Sequence, residues 1–453
     1  MKVLVTGATG FIGKVVLSQL AAAGHVLTVL TRDVDTAPVR LPVNARVFAW
    51  DPSLLQPPLE AFAGIQAVVH LAGENIAGRW TQDRKAEIKR SRLLSTHHLV
   101  ETFKRLETPP EVFICASGTG FYGDRQAVEL DDNASRGDGF LSAVCQAWEA
   151  EAQNAEALGV RTVPLRIGIV LGKEGGALRF MLPAFRLCLG GPLSDGEQWM
   201  SWIHVRDLAK LILHVLDRPE VTGPVNAVAP HPVSNRTFAK TLGRVLARPA
   251  VIPVPKILLK VLLRDAADLV LGSLRVVPQK ALAAGFAFDF PELEPALESI
   301  CYEVGHEFRM EQWLPHPRER VFDFFSNADN LEKIAPPAMS FKIVHMSTPD
   351  IKAGTRIDYH MQLHGAPVRW QSFITDWRRP EGFADFQMMG PYWVWHHTHE
   401  FVDKEGGTLI QDRAVYRLPF WVFGEVLGHP WVRRNLESIF LHRRRRVAEL
   451  LGE

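Results

Sequence analysis

The sequence predicts an α/β fold with a doubly wound parallel sheet, followed by a second, α+β domain with an antiparallel sheet. Up to about residue 250, short β-branched runs alternate with amphipathic helical patterns, which is typical of right-handed βαβ units. The runs are 2–6, 26–30, 45–49, 67–71, 112–116 and 162–166. From about residue 306 onward the pattern changes to long segments of period two, which are typical of half-buried antiparallel strands.

The first strand is followed directly by three glycines. The run Val3 to Thr6 precedes Gly7, Gly10 and Gly13, and a helical pattern begins beside them. Gly7 can adopt the positive φ of a tight turn, Gly10 lets the backbone approach a pyrophosphate, and Gly13 lets the helix pack close to the strand. Since a helix N-terminus also offers free N–H groups to phosphates, the pattern predicts a Rossmann-type dinucleotide-binding turn.

The end of the second strand indicates which dinucleotide is preferred. An NAD site usually carries an acidic residue there for the ribose 2′-hydroxyl. This chain has Thr31 and Arg32 instead, and a guanidinium suits a 2′-phosphate. Asp33 follows one residue later and favours the opposite preference, and Arg32 could also be a solvated loop residue. The sequence favours NADP(H).

Five landmarks along the first 295 residues resemble the extended short-chain dehydrogenase/reductase family. They are Thr6-Gly-Ala-Thr-Gly-Phe-Ile-Gly13, His70-Leu-Ala-Gly73, Ser117 with Phe121-Tyr-Gly123, Pro164-Leu-Arg166, and Trp202-Ile-His-Val-Arg-Asp207. The loops after the fourth strand and at 137–140 are similar to an epimerase-like branch of that family, which brings no established substrate. The resemblance implies cofactor contacts at Gly7, Thr9, Gly10, Phe11, Ile12, Gly13, Thr31, Arg32, Leu71, Ala72, Gly73 and Arg166.

The catalytic residues that the resemblance implies are only partly present. Ser117 stands at the position of the serine that polarises the substrate oxygen. The Tyr-x-x-x-Lys pair is missing, because Leu141 and Cys145 occupy its places and neither can supply a phenol proton or a fixed positive charge. Tyr122 is then the remaining candidate acid of this region, although a loop aromatic that packs on the cofactor explains it equally well. Cys145 is expected to be a small buried residue of the helix.

The second domain is predicted from strands at 340–346, 354–364, 367–377, 384–389, 392–402 and 407–417. A helical segment, Pro317 to Leu331, precedes them, and a longer one, His429 to Leu451, follows. This order resembles the helix-grip fold of START and polyketide-cyclase-like (SRPBCC-type) proteins, whose curved sheet and last helix hold an apolar ligand. The predicted domains are 1–297 and 307–453, joined by a linker over 298–306.

One predicted strand of the second domain carries aromatic and imidazole side chains on a single face. They are Trp393, Trp395, His397 and His399. A wall that lines a ligand cavity is the simpler interpretation, and no metal site is predicted. The alternative is a metal held by the two histidines with Asp412 or His360, because histidines two positions apart on a strand can share a ligand face.

The overall composition excludes several classes of partner. Lys plus Arg (51) nearly equals Asp plus Glu (50), so no net field favours nucleic acid, and the arginine run 443–446 alone is weak evidence for it. Four unpaired-looking cysteines and a chain that begins with a core strand favour the cytoplasm. The apolar stretch Ile257 to Val277 is interrupted by charges, and so predicts an amphipathic helix packed on the first domain rather than a membrane span.

Two functions fit these observations. The first is an NADP(H)-dependent oxidoreductase or isomerase that acts on a small, apolar or ring-bearing substrate held with the help of the second domain. Sugar epimerisation fits less well, because the strong base that it needs is missing. The second is a catalytically inactive NADP(H) sensor or scaffold coupled to a hydrophobic-ligand domain. The oligomeric state is left open.

Overall fold

The computed structural model describes residues 1–173, 175–246, 248–302, 306–363, 365–392, 394–418 and 428–452. The chain forms two compact units, Met1–Glu298 and Ser299–Glu453. Part of the predicted linker, 298–306, is helical in the structure. A helix continues to Tyr302, with Ile300 and Cys301 buried, and a strand begins at His306. Residues 303–305 of that segment lie outside the described residues.

The first unit is built on a parallel sheet. The strands of this unit are β1 Lys2–Thr6, β2 Val26–Thr31, β3 Arg46–Ala49, β4 Ala67–His70, β5 Val112–Gly118, β6 Glu129–Leu130, β7 Arg161–Ile167, β8 Ile169–Leu171, β9 Trp199–Met200, β10 Trp202–His204, β11 Val225–Ala227, β12 Val233–Ser234 and β13 Arg275–Val276. Over the described residues, seven of them form the central sheet in the order β11-β7-β5-β4-β1-β2-β3. The winding reverses between β1 and β4, and the carboxyl ends of such strands are where α/β sheets bind ligands.

Helices cover both faces of this sheet. The helices that begin in the first unit are α1 Phe11–Ala22, α2 Ala37–Arg40, α3 Gln82–Phe103, α4 Phe140–Gln153, α5 Leu178–Arg186, α6 Val205–Asp217, α7 Asn235–Val245, α8 Lys256–Leu263, α9 Asp268–Leu271, α10 Gln279–Ala283 and α11 Leu293–Tyr302. On one face Val16 of α1 and Leu208 of α6 share a buried cluster with the strands. On the other face Phe103 of α3 and Trp148 of α4 do so. The predicted Rossmann-like layer order is confirmed.

The stretch 257–277 differs from the single amphipathic helix that its pattern predicts. It is divided into α8, a 3-10 turn at Asp265–Ala267, α9 and β13. Arg264 ends α8 with a φ of +52°, a conformation that a continuing helix cannot contain. Most apolar side chains of α8 are exposed, with Ile257 at 77%, and among its described residues only Leu259 is buried, so the helix is packed less than expected. Among the described residues, no helix has the length and hydropathy needed to span a membrane.

The second unit contains a separate antiparallel sheet, as predicted. Its strands are β14 His306–Leu314, β15 Lys342–Met346, β16 Arg356–Leu363, β17 Ala366–Arg378, β18 Gly382–Met389, β19 Val394–Lys404 and β20 Gly407–Arg417. Its helices are α12 Arg318–Ser326, α13 Ala328–Ile334 and α14 His429–Leu451. In the described part of the chain the strand order is β14-β20-β19-β18-β17-β16-β15, so the first strand pairs with the last one. His364 and Trp393, which belong to predicted strands, lie outside the described residues.

The long helix α14 packs against one face of this sheet. Leu436 and Phe440 share a buried cluster with Trp395 and Tyr416. The segment predicted as one helix from 317 to 331 is two helices, because Asn327 leaves the helical conformation and accepts a hydrogen bond from the N–H of Asp329. This cap starts α13 in a new direction.

Candidate functional site

The glycine loop after β1 has two glycines that the fold itself requires. Gly7 has a φ of +70°, and a Cβ there would lie 2.7 Å from the backbone carbon of Leu71. A Cβ at Gly13 would lie 2.3 Å from the carbonyl oxygen of Gly7. Gly10 is different, because it is exposed and its nearest obstacle is 3.2 Å away. The loop is therefore packed tightly on the protein side and open at Gly10, where a ligand can approach the backbone.

Helix α1 begins at this open position. Gly10 is its extended N-cap, and the first turn, Phe11-Ile12-Gly13, carries no acidic side chain. The Phe11 ring packs so closely on the loop after β8 that a Cβ at Gly172 or Gly175 would lie 2.5 Å from it. The first N–H groups of α1 therefore have no side-chain cap, no acidic side chain lies in the first turn, and the Phe11 ring beside them is held in place. Free N–H groups at the positive end of a helix dipole suit a phosphate.

A buried polar chain fixes the neighbouring loop after β4. The Thr6 hydroxyl oxygen accepts a hydrogen bond from the N–H of Ala72 at 3.2 Å and lies 2.7 Å from Nδ1 of His70. The other ring nitrogen of His70 is 3.0 Å from the Ser95 hydroxyl of α3. Burial lowers the pKa of His70 to about 3, so the ring stays neutral. These hydrogen bonds hold Leu71–Gly73 at the carboxyl end of β4, beside the glycine loop.

The end of β2 presents the predicted phosphate-binding pair. Arg32 is exposed, and the Thr31 hydroxyl oxygen accepts a hydrogen bond from the N–H of Asp33 at 3.4 Å. The carboxylate of Asp33 accepts hydrogen bonds from the N–H and the hydroxyl of Thr36, and these bonds lower its pKa. Asp33 is therefore engaged with Thr36 in the following turn, an arrangement that directs its carboxylate along its own loop.

Ser117 lies at the end of β5 in a buried ionic cluster. Its hydroxyl donates to Oε1 of Glu149 at 2.6 Å. The same carboxylate receives two hydrogen bonds from the Arg166 guanidinium, at 3.0 and 2.9 Å, and both side chains are about 5% exposed. Such a bidentate pair fixes the position and orientation of both partners. The pair therefore holds the Ser117 hydroxyl in one direction.

The residues at the positions of the missing pair lie next to this serine. A Cβ on Gly120 would lie 3.1 Å from the Leu141 side chain, and one on Gly118 would lie 3.8 Å from Sγ of Cys145. Burial raises the pKa of Cys145 to about 11, so this thiol is protonated at neutral pH. Arg92 of α3 is a cation close enough to Cys145 to lower its pKa slightly. The guanidinium carbon of Arg92 also lies 3.6 Å from a Cβ built on Gly73.

Tyr122 is fully buried, in contrast to the loop position expected for a catalytic acid. Its hydroxyl donates to Oδ1 of Asn226 at 2.7 Å, with the carbonyl of Asp131 also at 2.9 Å, and accepts from Arg166 at 2.9 Å. Burial raises its pKa to about 12. This phenol donates its proton within the protein and is fully buried, so it is not accessible to a substrate. Arg166 is likewise directed into the protein, although it was predicted as a cofactor contact.

The structure thus brings the predicted residues together in two groups. Gly7 to Gly13, Thr31, Arg32 and Leu71 to Gly73 surround the carboxyl ends of β1, β2 and β4. Ser117, Tyr122 and Arg166 form the buried cluster at β5 and β7. The sequence reasoning missed Glu149, which links the members of this second group. Its position on the buried side of α4, between Trp148 and Ala152, was the available signal, because a buried carboxylate needs a cationic partner.

The second unit contains a cavity of about 170 Å³ between the sheet and α14. Its walls are mostly apolar and aromatic, and include Phe325, Tyr359, Trp370, Trp395 and Phe440. Arg443, the first residue of the arginine run, also lines it.

The polar part of this cavity is lined by His397, His399 and Asp385, and Asp412 lies behind the two histidines. His397 and His399 of β19 lie on one face, with ring centroids 4.0 Å apart. Asp412 of β20 lies opposite His399, and Asp385 of β18 lies opposite His397. Burial lowers the pKa of His397 and raises that of Asp385. His360, the other partner of the metal alternative, is exposed on β16, whereas the carboxylates of Asp412 and Asp385 both lie near the histidines.

Family models match two parts of the chain. The model described as "NAD dependent epimerase/dehydratase family" matches residues 3–228. The model "Domain of unknown function (DUF1731)" matches residues 254–300.

Each of the following similar proteins matches 66% of this chain. The "Epimerase family protein SDR39U1 homolog, chloroplastic" of Arabidopsis thaliana is 40% identical over 309 residues, which are 66% of this chain and 86% of that protein. The epimerase family protein YfhF of Bacillus subtilis is 35% identical over 66% of this chain and 98% of its own length. Among solved structures, the human epimerase family protein SDR39U1 (isoform 2) with NADPH is 36% identical, has a TM-score of 0.59, and is matched over 66% of this chain and 99% of its own.

Proposed function

Because this chain belongs to the NAD dependent epimerase/dehydratase family, we propose that its first unit binds NADP(H) and reduces or isomerises a small molecule. The observation that carries this proposal is the loop after β1, which Gly7 and Gly13 pack tightly while Gly10 leaves it open. When it is bound, NADP(H) supplies the hydride donor or acceptor of the reaction. The human relative whose structure includes NADPH supports this choice of cofactor.

Each part of the cofactor has residues that suit it. The first turn of α1, with Thr9, Phe11 and Ile12 around Gly10, would receive the pyrophosphate. Thr31 and Arg32 would hold the 2′-phosphate, and the engagement of Asp33 with Thr36 supports NADP(H) over NAD(H). Leu71–Gly73 would lie along the nicotinamide half.

Ser117 would hold the reacting oxygen, but as an acceptor. Its proton is already donated to Glu149, so its lone pairs are what it can offer to a ligand. We therefore propose that Ser117 accepts a hydrogen bond from a substrate hydroxyl or from a water, and that this water passes the proton that Tyr122 cannot supply, taking a replacement proton from solvent. This replaces the expected polarisation of a carbonyl by the serine hydroxyl.

Tyr122 and Arg166 would act as positioning residues. Arg166 bridges Glu149 and the Tyr122 hydroxyl, so the three side chains fix the direction of the Ser117 hydroxyl. The roles predicted for Tyr122 as acid and for Arg166 as cofactor ligand are not retained, because the protein itself uses their hydrogen-bonding groups.

A second candidate function is NADP(H) sensing without catalysis. Leu141 and Cys145 favour it, because they stand beside Ser117 at the positions where this family carries its acid–base pair. The Ser117→Ala variant separates the two functions: an enzyme loses turnover while keeping NADPH affinity, whereas a sensor keeps its response.

For the second unit we propose a helix-grip domain that binds an apolar or amphipathic ligand. An antiparallel sheet whose first and last strands pair, with a long C-terminal helix on one face, supports the fold. The aromatic walls of the cavity support the ligand class. Binding of a fluorescent hydrophobic dye by the full chain and by a Trp370→Asp variant tests this proposal. We expect the variant to bind the dye more weakly, because Trp370 lines the cavity.

The cofactor proposal is tested by titrating the full chain with NADPH and with NADH, following nicotinamide fluorescence. We expect tight NADPH binding and much weaker NADH binding. The Arg32→Ala variant should lose about tenfold in NADPH affinity, since a hydrogen bond to a charged group contributes about 1.5 kcal/mol, and should bind NADH unchanged. Equal binding of both nucleotides by the natural chain would contradict the proposed preference.

The four cysteines are free, and three of them are buried, which supports a reducing compartment, and we propose the cytoplasm. A relative in Arabidopsis thaliana is named as chloroplastic, and fractionation of cells that express the chain at natural level would decide between compartments.

A further inference from the structure

Three ligand-type atoms converge at the polar end of the cavity in the second unit. Nδ1 of His399 lies 2.5 Å and Nε2 of His397 lies 3.3 Å from the same oxygen, Oδ1 of Asp412. The two imidazoles are about 5% exposed and the carboxylate 15%. Because β19 and β20 are adjacent, with His399 opposite Asp412, the rigid sheet itself sets this convergence.

Among the described residues, none of these three atoms has an aligned hydrogen bond, and their close contacts are with one another. The contacts with Asp412 are short, yet neither has the geometry of an N–H donor directed at an oxygen. Buried polar atoms are nearly always paired, and an unpaired one costs about 1–3 kcal/mol. The cluster pairs its own charges but leaves each atom without an aligned hydrogen bond, an arrangement that a shared ion between the three atoms would satisfy.

The chemistry of the three atoms identifies the kind of partner. A buried carboxylate favours a positive charge beside it, and in the neutral tautomers that carry their proton on the other ring nitrogen the two imidazoles offer lone pairs to the same point. A divalent transition metal suits both features. Bonds of about 2.0–2.1 Å place ligand atoms roughly 3.3 Å apart in a tetrahedral site, so His399 and Asp412 need only a small separation to enclose the ion.

A carboxylate lies on the far side of the His397 ring, where metal-bound histidines commonly have one. Its second ring nitrogen, Nδ1, faces Oδ1 of Asp385 at 3.9 Å. Asp385 accepts a hydrogen bond from the Ser372 hydroxyl at 3.0 Å, and Ser372 accepts one from the Trp370 indole at 3.1 Å. Metal-bound histidines commonly direct their free N–H toward such an outer carboxylate, which fixes the ring orientation.

We propose that His397 Nε2, His399 Nδ1 and Asp412 Oδ1 bind a divalent transition metal ion of the zinc or iron class, with Asp385 orienting His397. Two imidazoles and one carboxylate suit these ions better than magnesium or calcium, which prefer oxygen ligands. Three protein ligands leave a coordination position open, as in catalytic sites. Both histidines line the cavity, so that position is available to a ligand held by its aromatic walls.

The experiment uses the full chain, freed of metal by a chelator and then titrated with Co²⁺ as a spectroscopic probe and with Zn²⁺ as a competitor. We expect one equivalent of Co²⁺ to give the visible absorption of a low-symmetry site with nitrogen ligands, and Zn²⁺ to displace it. His399→Ala and Asp412→Asn should each abolish the absorption. The matched control is His360→Ala, which removes an exposed histidine of the same sheet and should bind Co²⁺ as the natural chain does.

Circular dichroism of each variant shows whether it remains folded, and Asp412→Asn preserves the shape of the side chain it replaces. If the natural chain binds neither ion at equimolar concentration, the proposal is wrong and the cluster is a buried ion pair. If folded His399→Ala and Asp412→Asn proteins bind Co²⁺ normally, the metal site lies elsewhere and this assignment fails.

Discussion

The two units each bury a cluster of charged side chains, but they satisfy it differently. In the first unit, both oxygens of Glu149 receive hydrogen bonds from Arg166, and Ser117 donates a third bond. In the second unit, Asp412 lies close to His397 and His399, and none of the facing atoms has an aligned hydrogen bond among the described residues.

This difference distinguishes a scaffold from a binding site. A cluster whose donors and acceptors all match gains nothing from a further ligand, and its function is to hold a neighbour in place, here the Ser117 hydroxyl. A cluster whose atoms converge without aligned hydrogen bonds still has donors and acceptors to offer to a further partner, such as the proposed metal ion. The first unit accordingly presents its open groups elsewhere, at the uncapped start of α1.

The largest expected effect comes from breaking the satisfied cluster. Arg166→Met leaves Glu149 buried without a cation, which should cost about 3–5 kcal/mol of stability in the first unit. Hydrogen exchange at the amides of β5 and β7 measures this loss. Arg218→Ala removes an exposed ion pair with Glu220 and should change the same amides by less than about 1 kcal/mol. Similar losses in both variants would contradict a structural role for the buried pair.

A smaller effect should come from closing the glycine loop. In Gly13→Ala the new methyl group must displace the carbonyl of Gly7, at a cost of about 1–3 kcal/mol. NADPH affinity should fall about tenfold or more, because the loop then no longer packs against α1. Gly24→Ala is the control: that glycine also has a positive φ but nothing within 4 Å, so NADPH affinity should stay the same.

In the second unit, the comparison can be sharpened at Asp385. Asp385→Asn removes the outer carboxylate of His397 while leaving the three proposed ligands, so Co²⁺ affinity should fall about 10–100-fold rather than vanish. Competition with a chromogenic chelator measures the change. Unaltered affinity would show that Asp385 does not orient His397.

The smallest effect concerns acid stability. Burial lowers the pKa of His70 to about 3, so between about pH 6.5 and pH 3 the unfolded chain binds a proton that the folded chain does not. Stability of the first unit should therefore decrease as pH falls, by about 1.2 kcal/mol between pH 6 and pH 5. His70→Gln should show a flatter profile in urea denaturation at pH 6 and pH 5. An identical slope in both proteins would contradict this account.

Local patterns predicted most of the architecture. The run Val3 to Thr6 with Gly7 and Gly13 defines β1, its turn and α1, because strand period and glycine conformation are properties of adjacent residues. The two histidines of β19 were likewise placed on one face by alternation alone.

What depends on residues far apart in sequence was missed. Glu149 and Arg166 lie on a helix and a strand, and no spacing rule pairs them. Tyr122 was assigned to a loop surface, because its burial depends on Asn226, 104 positions later. The choice of Asp412 over His360 required the register of β19 against β20. α8 was expected to be packed, although its pattern alone does not say what its apolar face meets.

The most direct test of the central claim is a crystal structure of the full chain with NADPH. We expect the pyrophosphate at the first turn of α1, the 2′-phosphate within hydrogen-bonding distance of Thr31 and Arg32, and the Ser117–Glu149 hydrogen bond unchanged. A nucleotide bound away from the glycine loop, or a Ser117 hydroxyl turned from Glu149 toward the nicotinamide, would contradict the account.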